Sequence, residues 1–144
     1  MKLPQDLQHF PAATLIIASD TESASFLLAG GEDIEALDAV AVPHERKQDS
    51  EGRYVSSDGV RTGNPEQEDD APRLHEFVHA VTDRLVRLVQ DHGIAHVHLV
   101  MPAGIEHAVT SHLPKEISAK IGRRIHVEAM KESPLEIVKR VLAG

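Results

Sequence analysis

Apolar and polar positions divide this chain into two regimes with a polar stretch between them. In the first, Thr14–Ala18 (TLIIA) is a short apolar run that predicts a buried strand, and Ser23–Ala29 (SASFLLA) predicts a second, with Asp20 and Thr21 as the turn. Gly30–Asp33 forms another turn signal, and Ile34–Val42 (IEALDAVAV) alternates as a third strand. Tight turns between neighbouring strands imply an antiparallel meander. The second regime follows residue 72. Leu74, Phe77, Val78, Val81, Leu85, Leu88 and Val89 recur at helical spacing, with a helix start at Asp69–Pro72 and a stop at Gly93. Ala95–Met101 predicts a strand. Ile105, Val109, Leu113, Ile117 and Ile121 mark a helical face that Pro114 breaks in two. Arg124–Met130 predicts the last strand. Ser133-Pro-Leu-Glu136 is a capping box that opens a final helix through Val138, Val141 and Leu142.

The order β-β-β, polar arm, α-β-α-β-α predicts an α/β fold, a mixed sheet flanked by helices. Its first half is antiparallel and its second half parallel with helical crossovers. A length of 144 residues suits a single domain. Residues 43–72 are expected to be a long arm or loop within it. A segment of about thirty residues without an element of its own is either functional or disordered.

Composition narrows the chemistry. The chain has no cysteine, which excludes disulfides, thiolate metal sites and cysteine nucleophiles. No apolar run reaches the length of a membrane span and the first ten residues lack a signal-type apolar region, so a cytoplasmic protein with no membrane partner is expected. The net charge is −8 but unevenly spread: residues 1–72 hold 5 basic and 15 acidic groups, residues 113–144 hold 7 and 4. Such a balance argues against non-specific DNA binding and leaves a local RNA contact to the C-terminal quarter. There is no phosphate-binding glycine loop and no nucleophile elbow, so no cofactor is expected.

Histidines are the remaining candidates. His75-Glu76-Phe-Val-His79 matches H-E-x-x-H, in which two histidines hold zinc and the Glu serves as general base of a hydrolase. With Val81 at the centre of the apolar face, His75 and His79 lie about 120° and 160° away, on the solvent side. The extended zincin pattern would require Gly at 82 and His at 85, where Thr82 and Leu85 stand. Two surface histidines are therefore the favoured reading, with the zinc hydrolase as the alternative. His96 and His98 share one face of a strand, and His126 on the next predicted strand would join them if the two are neighbours.

Three stretches carry a family resemblance: Thr14–Phe26 (TLIIASDTESASF), Leu99–Ala103 (LVMPA) with His112–Ile117 (HLPKEI), and Met130–Ile137 (MKESPLEI). Together with a long helix after a polar loop, they resemble the bacterial relatives of archaeal and eukaryotic translation release factors, the host attachment protein group. The resemblance covers nearly the whole chain and implies the release-factor central-domain fold shared with Pelota, of RNase-H-like topology. It also implies the ribosome or tRNA as partner. In those factors the loop before the long helix bears the Gly-Gly-Gln that promotes peptidyl-tRNA hydrolysis. Here that place is 43–72, which offers Gly59, Arg61, Gly63, Asn64 and Gln67 as binding residues but no Gly-Gly-Gln. A binding module without proven catalysis is the function this implies. A structural or assembly module is a further alternative.

Overall fold

The computed structural model describes residues 1–41 and 65–143, with side chains in the first helix described from Leu74 onward. Six strands form one mixed sheet. They are β1 (Phe10–Ser19), β2 (Ser23–Gly31), β3 (Asp33–Ala36), β4 (Val40–Ala41), β5 (His96–Val100) and β6 (Ile121–Ile125). The spatial order is β3-β2-β1-β5-β6, with β4 also paired to β2. β1–β2, β2–β3 and β2–β4 are antiparallel, while β1–β5 and β5–β6 are parallel. The meander followed by parallel crossovers is the arrangement expected from the sequence.

Alternation along the central strands sends side chains to two cores. Leu15 and Ile17 of β1, Ala24 and Phe26 of β2, and Val97 and Leu99 of β5 face the first. Helix α1 (Pro65–His92) covers it through Phe77, Val78, Val81, Leu85, Leu88 and Val89. Helices α2 (Ala103–Thr110) and α3 (Lys115–Ser118) complete that layer through Ile105, Val109 and Ile117. Ile16, Ala18, Leu27, Ala29 and Val100 face the second core. Helix α4 (Pro134–Ala143) covers it with Ile137, Val138 and Val141, beside a 3-10 turn at Gln5–Leu7. Leu3 and Leu7 are buried in this layer, and the Leu3 N–H donates to the Glu32 carbonyl at 2.7 Å.

Three boundaries differ from the sequence reading, each for a physical reason. The strand expected over Ile34–Val42 is divided. Its register against β2 changes by one residue between Leu27↔Ala36 and Ala24↔Val40. That extra residue is a bulge, and it lets Ile34 enter the second core while Val40 packs on the first. The last strand runs over Ile121–Ile125 and not Arg124–Met130. Its partner β5 ends at Val100 because Pro102 opens α2, so nothing remains for residues 126–130 to pair with. Helix α1 begins at Pro65, ahead of the start expected at Asp69. It ends as expected, with Gly93 at φ +59°, a left-handed conformation that glycine adopts without strain.

Candidate functional site

The second core layer leaves an open groove between the N-terminal turn, the end of α4 and the strands β1, β5 and β6. It has a volume of about 690 Å³, and its polar lining is Asp6, His9, Thr14, His96, His98, Arg123 and Lys139. Two permanent cations and three imidazoles thus face one carboxylate. His96 and His98 are brought to this one face by the period of two along β5, as their spacing predicts.

His98 is the best-defined member. β6 carries a bulge opposite it: Val97 pairs with Ile121 but Leu99 pairs with Arg124, so three residues of β6 span two of β5. The bulge takes the Arg123 N–H out of the ladder, and that N–H donates to His98 Nδ1 at 3.0 Å. Because Nδ1 accepts, the ring proton resides on Nε2. Burial, followed by the charges of Arg123 and His96, lowers the His98 pKa below its ordinary value. The ring is therefore a neutral N–H donor at neutral pH. Gly122 makes the approach possible. A Cβ at that position would stand 2.9 Å from His98 Cε1 and 3.1 Å from Nδ1. Arg123 guanidinium, Lys139 ammonium and an imidazole N–H are donors suited to phosphate oxygens.

His126 does not join His96 and His98. It lies past the end of β6, and its Nε2 meets Glu106 Oε1 at 3.0 Å. Glu106 stands in the first turn of α2 with its side chain 10% exposed, and Arg124 Nη1 is 3.7 Å from Oε2. The Thr110 hydroxyl donates to the same Oε2 at 3.3 Å. Arg124 and His126 thus compensate a buried carboxylate at the carboxyl edge of β5 and β6. Asp20, at the end of β1, is committed to its turn: Oδ1 accepts the N–H groups of Glu22 at 2.8 Å and Ser23 at 2.7 Å.

His75 and His79 are exposed on α1, as the helical angles predict, and the exposed His112 after α2 stands beside them. Gly59, Arg61, Gly63 and Asn64 lie outside the described residues, and Gln67 lies in α1 where only the backbone is described. Sequence reasoning missed Arg123, Lys139, His9, Glu106 and His112. No spacing signals them, because a bulge, a crossover or a packed layer brings each to its partners.

No protein-family model matches the chain, and no curated protein sequence matches it. Solved structures do resemble it. An archaeal translation termination factor superposes with a TM-score of 0.51 at 14% identity over 91% of this chain and 38% of its own. A structure described as an archaeal protein gives 0.46 at 13% identity, over 88% of this chain and 35% of its own. An archaeal actin homologue gives 0.44 at 12% identity, over 97% and 52%. The chain therefore spans between about a third and a half of these structures. The sheet has the mixed, helix-flanked plan of the release-factor neighbour. Among the described residues no helix is long and apolar enough to cross a membrane.

Proposed function

We propose that this chain is a non-catalytic binding domain on the release-factor central-domain plan, docking on ribosomal RNA or tRNA. The observation that carries the reading is the groove. Arg123 and Lys139, with His9, His96 and His98, oppose a single carboxylate on a chain whose net charge is −8. A local cationic surface on an acidic molecule favours phosphate at one place and repels it elsewhere, which suits a docked contact rather than coating of nucleic acid. The fold likeness to a termination factor supports the choice of RNA class. The polar segment 43–72, with Gly59, Arg61, Gly63, Asn64 and Gln67, is the second contact in this reading. Peptidyl-tRNA hydrolysis is outside it, because the chain has no Gly-Gly-Gln.

The test is co-sedimentation with ribosomes and gel-shift with tRNA at low salt. The intact chain binds one of them, and Arg123→Glu with Lys139→Glu weakens that binding at least tenfold. Each cation lost from a single-stranded contact lowers the slope of log affinity against log salt by about 0.7. Deleting residues 46–64, which stops short of α1, leaves the fold intact and abolishes co-sedimentation. Absence of binding to both ribosomes and tRNA at low salt overturns the proposal.

A further inference from the structure

Three imidazoles outside the groove converge on the opposite layer. The ring centres of His75 and His79 are 4.6 Å apart, those of His79 and His112 5.6 Å, and those of His75 and His112 6.3 Å. An ion held at about 2.1 Å by three imidazole nitrogens in tetrahedral geometry places the ring centres about 5 Å apart. The observed spacings bracket that value. Side-by-side packing of α1 on α2 fixes the three backbones: Phe77 and Val78, beside the first two histidines, share the first core with Val109, and Leu113 packs against it.

His112 has the tautomer a ligand needs. Its Nδ1 lies 2.8 Å from the Ala108 carbonyl oxygen, so Nδ1–H donates and Nε2 keeps its lone pair. A backbone carbonyl on the second ring nitrogen is the usual support of a metal-bound histidine. Among the described residues no three His, Cys, Asp or Glu side chains form a ready-made cage. The rings here stand edge-on or tilted to one another. Binding therefore requires the His75 and His79 rings to turn about their Cβ–Cγ bonds, a broad torsion that exposed imidazoles sample freely, while His112 keeps its bond to Ala108.

We propose that His75, His79 and His112 together bind one late divalent transition-metal ion, such as Zn²⁺, Ni²⁺ or Co²⁺, with the remaining position open to solvent. Imidazole selects this class, whereas Mg²⁺ and Ca²⁺ demand oxygen ligands. The H-E-x-x-H spacing supplies two ligands from one helix face. The third comes from the turn just after α2, across the α1–α2 contact, and replaces the ligand that the extended zincin spacing would place at Leu85. The ion would cross-link α1 to α2.

Titration of the untagged, chelator-stripped full chain with Co²⁺ tests the site through the visible ligand-field absorption of four-coordinate cobalt and its loss on adding Zn²⁺. One equivalent binds at micromolar concentration, and His79→Ala and His112→Ala each weaken it at least tenfold. His98→Ala, which alters the other histidine group, leaves it unchanged. Both positions tested at the cluster, His79 and His112, are exposed, and circular dichroism without metal confirms folding of each variant. Wild type that needs millimolar Co²⁺, an unaltered affinity in His112→Ala, or a loss confined to His98→Ala each overturns the proposal. None of these readouts involves RNA, so the metal site and the groove stand or fall separately.

Discussion

The seat of His98 depends on a residue that contributes no side chain. Gly122 leaves room for the imidazole, and the imidazole in turn accepts the Arg123 N–H that the bulge releases. Gly122→Ala drives a methyl group into a ring that a hydrogen bond holds in place. The expected cost is about 1 kcal/mol, the net worth of one hydrogen bond, read as a lower urea midpoint at neutral pH. The pH dependence carries a sign that identifies the cause. The folded pKa of His98 is lowered from 6.5. Between the folded value and 6.5 the unfolded chain binds the extra proton, so this group's contribution is full above 6.5 and is lost as pH falls through the folded pKa. If Gly122→Ala displaces the ring into water, the stability gap between wild type and variant narrows on acidification below 6.5. A gap that stays constant with pH would place the effect elsewhere. This site was half legible. His-x-His on a strand states that two rings share a face, whereas a one-residue bulge on the neighbouring strand leaves no periodic trace, so Arg123 could not be assigned to them.

At the scale of elements, local chemistry was the most legible. The box at the start of α4 forms as its spacing requires: the Ser133 N–H donates to Glu136 Oε1 at 2.9 Å, and the Glu136 N–H donates to Ser133 Oγ at 3.3 Å. Arg140, two turns on, donates through Nε to Glu132 Oε1 at 2.7 Å, and this hydrogen bond holds the Glu132 carboxyl below its ordinary pKa. That surface pair is a minor contributor to stability. Ser133→Ala removes the cap and is expected to cost about 1 kcal/mol in urea unfolding, with the helix otherwise retained by Ile137, Val138 and Val141. A loss of less than a few tenths would mean that Pro134 and packing alone set the helix start. The misplaced strand ends have the opposite character. Where β6 stops is decided by where β5 stops, and both edge bulges are decided by which core Ile34, Val40, Ile121 and Ile125 must enter. Those are long-range conditions that a window of sequence does not contain.

The two faces of the sheet are covered unequally. The first lies under α1, α2 and α3, with α1 running 28 residues from Pro65. Among the described residues the second lies under the ten residues of α4, the N-terminal segment and Val127, Ala129 and Met130. Leu3, Leu7 and Phe10 are 2%, 6% and 4% exposed and close over Ile16, Leu27 and Ile34, so the first residues belong to the core. The same segment walls the groove through Asp6, Leu7 and His9. Burial of two leucines contributes about 3–6 kcal/mol, a large part of the 5–15 kcal/mol typical of a domain's whole stability. Removing residues 1–9 therefore lowers the melting temperature by about 10 °C or more and uncovers Phe10 and Ile34, which dye binding would detect. The double variant Leu3→Ala, Leu7→Ala separates burial from length, since it keeps the Leu3 N–H bond to Glu32 and the 3-10 turn while losing the side chains. If burial is the cause, it reproduces most of the shift. If the truncated chain melts within a few degrees of the intact one, α4 alone suffices to cover the second face, and the groove then needs no wall from the N-terminus.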